Sequence, residues 1–117
     1  ITAYYSDQRL KTRTGLITDA IAKVQKLEGF TYVENDTARS FGYNNKKQQV
    51  GVAAQTVQEV LPEAVSLAPF DIETLEDGTI TSKSGENYLT VDYSRIVPLL
   101  IEAIKELTAR VEELEAR

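Results

Sequence analysis

"IVPLLIEAIKELTARVEELEAR", residues 96–117, carries the strongest pattern in the chain. Val97, Leu100, Ile104, Leu107, Val111 and Leu114 recur at alternating intervals of three and four residues. That period is a heptad seam, with β-branched residues at a and leucine at d, and it predicts a long amphipathic helix. The flanks of the seam change along its length. Ile96 and Ile101 make the g and e positions apolar at the start, whereas Arg110 and Glu115 place opposite charges there near the end, where parallel chains can pair them. One packing lays this helix on its own core, which a seam under three heptads allows. The other brings further copies to it, because no later segment of this sequence remains to cover the last turns. Apolar flanks suit three helices, or one helix and its own domain, while the choice of a and d residues leans towards two. The pattern leaves the stoichiometry open.

Upstream of this helix the signals are shorter. "YLTVDY" (Tyr88–Tyr93) reads as a strand, with Asp92 placed to cap the helix that follows. Between Ser66 and Asn87, Pro69, the pair Asp77-Gly78 and Gly85 break up short β segments. "VGVAAQTVQEVLPEAV" passes from a strand at Val50–Val52 into a helix over Ala53–Leu61, which Pro62 stops. Asn35–Gln49 is polar and rich in turn formers, so a loop or a solvated hairpin tip is expected there. "FTYVE" (Phe30–Glu34) alternates as a strand does. In Leu16–Leu27, Ile17, Ala20, Ile21, Val24 and Leu27 follow a helical period, and Gly29 is placed to end that helix. Short β segments, a few helices and a long last helix amount to a small α+β domain.

Composition removes whole classes of chemistry. At 117 residues the chain suits one domain with a modest core. It has no cysteine and no histidine, so disulfides, thiolate nucleophiles, Cys-ligated metals and His-based triads cannot be built within it. No phosphate loop, dinucleotide fingerprint or calcium loop is present, and no cofactor or metal is expected. The net charge of −5 argues against nucleic acid as a partner, since phosphate-tracking surfaces need clustered Lys and Arg. No run approaches the ~18 apolar residues that a membrane span requires, and no secretory signal pattern opens the sequence. An enzyme built on this chain is restricted to Ser, Thr, Lys, Tyr and carboxylates.

That restriction draws attention to "YYSDQRLKTRTG", residues 4–15. Ser6 and Lys11 are five apart, which places them roughly 140° apart on a helix and on opposite faces of a strand. They can meet only across a turn or across a subunit boundary. Read from spacing alone, Ser6 or Asp7 caps a first turn and Arg9 and Lys11 are solvated. A nucleophile–base pair is the chemical alternative, because removing a lysine from water favours its neutral, basic form.

Three blocks carry a resemblance: "SDQRLK" near the start, "GVAAQTVQEVLPEAV" in the middle and "YLTVDYSRIVPLLIEAIKELTARVEELEAR" at the end. In that order they resemble the C-terminal intramolecular chaperone domains of endosialidase-type phage tail spikes and tail fibres, over about Ser6–Arg117. The segments Asn35–Gln49 and Ser66–Asn87 match no motif. The resemblance implies a domain that gathers three chains, sets the β-structure of the upstream fibre in register and then cuts itself off. It assigns Ser6 as nucleophile, Lys11 as base and Tyr5–Ser6 as the scissile bond. Residues 1–5 would then end the upstream fibre, residues 6–117 form the chaperone, and residues 93–117 form its oligomerisation helix in a trimeric bundle or coiled coil. The implied partners are two further copies of the chain and the upstream fibre. The implied setting is the host cytoplasm during virion assembly, with the fibre in the virion tail and the domain released after cleavage. A non-cleaving trimerisation domain, or a coiled-coil adaptor for another protein, shares every feature except working Ser6 and Lys11.

Overall fold

The computed structural model describes residues 3–117, so Ile1 and Thr2 of the predicted fibre-end segment lie outside the described residues. In chain order the elements are α1 (Ala20–Gln25), β1 (Phe30–Tyr32), α2 (Asp36–Ser40), β2 (Gln49–Gly51), α3 (Ala54–Val60), β3 (Val65–Leu67), β4 (Ile72–Thr74), β5 (Ile80–Ser82), β6 (Leu89–Val91) and α4 (Val97–Glu115). Single 3-10 turns stand at Gln8–Leu10, Pro62–Ala64, Pro69–Asp71 and Tyr93–Arg95. This is the α+β organisation that the sequence predicted, with the long helix last.

The strands pair antiparallel as β1–β2, β3–β6 and β4–β5, and the third pair is nested inside the connection of the second. The tip of β4–β5 is the predicted Asp77-Gly78 turn. Gly78 has φ +87°, a left-handed value that favours glycine, and the Thr79 amide donates to Asp77 Oδ1 at 2.9 Å. Gly51 answers a different need: a Cβ there would lie 2.9 Å from the Tyr93 hydroxyl, which also accepts from the Val52 amide. The approach of Tyr93 to β2 seats the start of α4 against the first strand pair.

Two small apolar clusters form the core. Ala20, Leu99 and Ala103 join α1 to α4, and Val57, Ala64 and Ile96 join α3 to the approach of α4, with Leu27 and Leu61 bordering both. The Cα radius of gyration is 18.2 Å, against about 13 Å for a compact domain of this length. The excess has a visible source, because every residue from Leu107 to Arg117 is exposed and this half of α4 projects beyond the domain.

Three expectations are corrected. The helix predicted over Leu16–Leu27 is confined to Ala20–Gln25, and Gly29 does not terminate it. Its start is displaced because Asp19 is left-handed (φ 53°) and Glu106 of α4 accepts from the Ala20 and Ile21 amides at 2.7 and 3.3 Å. A distant carboxylate thus does the work of an N-cap. Within Asn35–Gln49 the expected hairpin exists as β1–β2, but its connection contains α2, capped by Asn35 Oδ1 on the Ala38 amide at 3.0 Å. Asp92 caps the Tyr93–Arg95 turn rather than α4 itself, whose first turn instead holds Pro98, where a missing N–H costs nothing.

Candidate active site and assembly face

The turn at Gln8–Leu10 answers how residues five apart can meet. Asp7 is its N-cap, with Oδ1 accepting from the Arg9 amide at 2.9 Å. The amides of Leu10 and Lys11 close the turn by donating to the carbonyls of Asp7 and Gln8 at 3.0 and 3.1 Å. The chain reverses, and Lys11 Nζ donates to Ser6 Oγ at 2.5 Å. No subunit boundary is needed for this contact. Asp7 also accepts from the Arg9 guanidinium, at 3.1 Å from Nε and 2.7 Å from Nη2. The guanidinium holds the Asp7 carboxyl below its usual range, helped by the Arg9 amide, and the carboxylate in turn raises Arg9.

Ser6 and Lys11 are both exposed in the single chain, and Tyr5 before them is 77% exposed. They nevertheless line a cleft of about 530 Å³, with Tyr4, Tyr5, Ser6 and Lys11 facing Asp92, Ser94 and Arg95. The second wall is held by its own hydrogen bonds. Asp92 accepts from the Ser94 hydroxyl at 2.6 Å and from Arg95 Nε at 3.2 Å, and Arg95 Nη1 donates to the Glu63 carbonyl at 3.4 Å. The Ser94 hydroxyl, then the Ser94 amide and Arg95, keep the Asp92 carboxyl below its ordinary value. The sequence offers Asp92 only as a cap and marks neither Ser94 nor Arg95, because no local pattern links positions more than eighty residues apart. Among the described residues no acidic cluster is arranged to hold a metal ion, and no helix is long and apolar enough to cross a membrane.

The seam residues occupy a separate face. Val97, Leu100, Ile104, Leu107, Val111 and Leu114 are between 40% and 63% exposed. The chain's own core takes the adjacent stripe, Leu99 and Ala103, about a quarter turn around the helix. Leu100, Ile104 and Leu107 instead join Ile21 and Val24 of α1 along an open apolar groove of about 270 Å³. The seam does not lie on its own core.

Comparison with known proteins adds a family. Residues 6–66, more than half of the chain, match the family described as chaperone of endosialidase, and the match opens at Ser6. The chain is 42% identical over 112 residues, 96% of its length, to the long tail fiber protein Gp37 of Enterobacteria phage K3 and likewise to that of Enterobacteria phage T2. It is 34% identical over 112 residues to the protein of that name from Enterobacteria phage M1. It spans 8% of the K3 protein, 7% of the T2 protein and 38% of the M1 protein.

Proposed function

Because the chain belongs to the chaperone-of-endosialidase family, we propose that it is the assembly module of a phage tail fibre, trimerising through α4 and releasing itself by cutting Tyr5–Ser6. Residues 1–5 then end the fibre, residues 6–117 form the module and residues 93–117 its oligomerisation segment. The likeness to long tail fibre proteins supports a role with a fibre chain and a place in the virion tail; on this proposal, cleavage takes place in the host cytoplasm during assembly. An interleaved fibre must bring its chains together before its contacts form. A module that trimerises first makes that encounter intramolecular, at an effective concentration on the order of millimolar. Cutting it away leaves a product that is kinetically trapped.

The observation that carries the cleavage reading is the Lys11 Nζ–Ser6 Oγ contact, in a cleft that Tyr5 also lines. With Lys11 neutral the contact reverses, and Ser6 Oγ–H donates to Nζ. Oγ attacks the Tyr5 carbonyl carbon, Lys11 takes the hydroxyl proton and passes it to the departing Ser6 nitrogen. The C–N bond breaks and an ester joins Tyr5 to Ser6 Oγ. Water then hydrolyses it to the Tyr5 carboxylate and the free Ser6 hydroxyl. Neither residue is buried in one chain, so a neighbouring copy that covers the cleft favours the neutral amine.

The test is a fibre–module fusion analysed by mass spectrometry and denaturing gel. Ser6→Ala and Lys11→Ala should leave full-length, still oligomeric protein. Lys11→Arg should fail as well, since a guanidinium stays protonated. Cutting at the wild-type rate in Lys11→Arg would remove lysine as the base and leave a trimerisation module without this mechanism.

A further inference from the structure

We infer that Asp7 and Arg9 are positioning residues of the cleavage reaction, a paired clasp that holds the turn delivering Lys11 to Ser6. The inference rests on the reading of Ser6 and Lys11 as nucleophile and base. The turn has three residues and two backbone bonds, and a 3-10 segment that short is not self-sustaining. Tertiary packing does not supply the missing support, because residues 6–11 are all exposed. The local side chains supply it. Asp7 accepts four hydrogen bonds, one from the Arg9 amide and three from the Arg9 guanidinium. The amide bond caps the turn, and the forked contact fixes the cap, since a planar guanidinium engages both carboxylate oxygens at once.

Asp7 and Arg9 bond to each other and not to Ser6 or Lys11, so the effect inferred for them on cleavage is geometric. Reacting groups must be held in a narrow range of approach, and an ångström of displacement costs as much as ~100-fold in rate. Asp7→Ala removes both cap and fork, and cleavage of the fusion should slow by roughly tenfold or more. Asp7→Asn and Asp7→Ser retain an oxygen for the Arg9 amide and should recover much of that loss. Arg9→Ala, which leaves the cap, should fall between wild type and Asp7→Ala. Adding Arg9→Ala to Asp7→Ala should cost nothing further, because the fork is already gone.

The experiment follows single-turnover cleavage of the full fusion across pH, with oligomeric state by light scattering. A clasp lowers the plateau rate, leaves the pH midpoint in place and leaves the oligomer intact. Wild-type cleavage in Asp7→Ala, with Ser6→Ala uncut, would overturn the clasp and spare the dyad. A moved midpoint with an unchanged plateau would also overturn it, showing that these charges tune the base rather than place it. Wild-type cleavage in Ser6→Ala would remove the parent reading and the clasp together. If Asp7→Ala does not assemble, Asp7→Asn and Arg9→Ala carry the same comparison.

Discussion

Leu99 and Leu100 are neighbours in the sequence and chemically identical, yet Leu99 is fully buried and Leu100 is 40% exposed. The difference runs along α4. One stripe, Leu99 and Ala103, is closed by α1, while the stripe from Val97 to Leu114 stays between 40% and 63% exposed and is bordered by α1 only along the open groove at Leu100, Ile104 and Leu107. Hydrophobicity therefore does not decide burial here. What decides it is whether a second element of this chain stands opposite, and α1, only six residues long, reaches only the first half of a nineteen-residue helix. Of the two apolar stripes on this helix, the described residues of its own chain bury only one, which leaves the other for the proposed contact between copies. The inner stripe holds the domain together, and the outer seam suits a second copy.

The largest effect should come from breaking the outer stripe. Leu107→Lys or Ile104→Lys places an unpaired charge in the proposed contact between copies, at a cost of several kcal/mol per chain, and assembly measured by light scattering should be lost. Circular dichroism should show the monomer still folded, since the inner stripe is untouched. A fusion carrying Leu107→Lys should also stay uncut, because Ser6 and Lys11 remain in water. Unchanged mass in both variants would mean that the seam is not where copies meet. Cleavage of the folded monomer at the wild-type rate would show that one chain completes the reaction alone.

Breaking the inner stripe should cost less but strike the domain itself. On the monomeric Leu107→Lys background, Leu99→Ala should lower unfolding stability by about 3 kcal/mol, as truncation of a fully buried leucine does. Leu100→Ala should lower it by under ~1 kcal/mol, because much of that side chain is already wet. Urea unfolding measures both. Equal losses would erase the distinction between the stripes.

The sequence showed α4 and its seam because a period repeated across nineteen residues is visible without any partner. It also showed the Asp77-Gly78 turn, where local chemistry is sufficient. It did not show where α1 begins, because the group that caps it, Glu106, is on another helix. For the same reason it could not show that Asp92, Ser94 and Arg95 face Tyr5 and Ser6 across a cleft. The Ser6–Lys11 approach lies between these cases. Its cause is local, the Asp7 cap, but regular helix and strand geometry both place the two residues apart, and only a single 3-10 turn closes the distance. α2 was hidden differently, since its polar sequence has the composition of a loop and only the Asn35 cap marks its start.

Glu106 sharpens the comparison on a smaller scale, because it fastens α1 to the inner side of α4. Glu106→Ala removes the acceptor for two amides that have no other cap and should cost about 1 kcal/mol on the same monomeric background. Glu106→Gln keeps one oxygen and should cost less. No loss in the alanine variant would mean that water caps α1 equally well.

The smallest effect separates the two kinds of packing by acid. The apolar seam carries no titratable group at its a and d positions, whereas the domain relies in part on buried Asp71. Its carboxylate accepts from the Ser82 hydroxyl at 2.6 Å, the Ser84 amide at 2.8 Å and the Ser84 hydroxyl at 3.0 Å, tying β5 and its following turn to the start of β4. These bonds, the Ser82 hydroxyl foremost, outweigh the cost of burial and hold Asp71 below its ordinary 3.8. A carboxyl with a lowered folded value binds its proton more readily unfolded, so its contribution is fully present above the unfolded value and disappears as pH falls through the folded one. Asp71→Asn cannot carry the charge at any pH. Its melting temperature should therefore lie below that of the native sequence at pH 7, and the two should converge as acid protonates Asp71. Measured on the monomeric background, that narrowing isolates the domain from the seam. A gap that stays constant down to pH 2 would assign the loss to the shape of the amide, and ionisation of Asp71 would then play no part in holding β4 and β5 together.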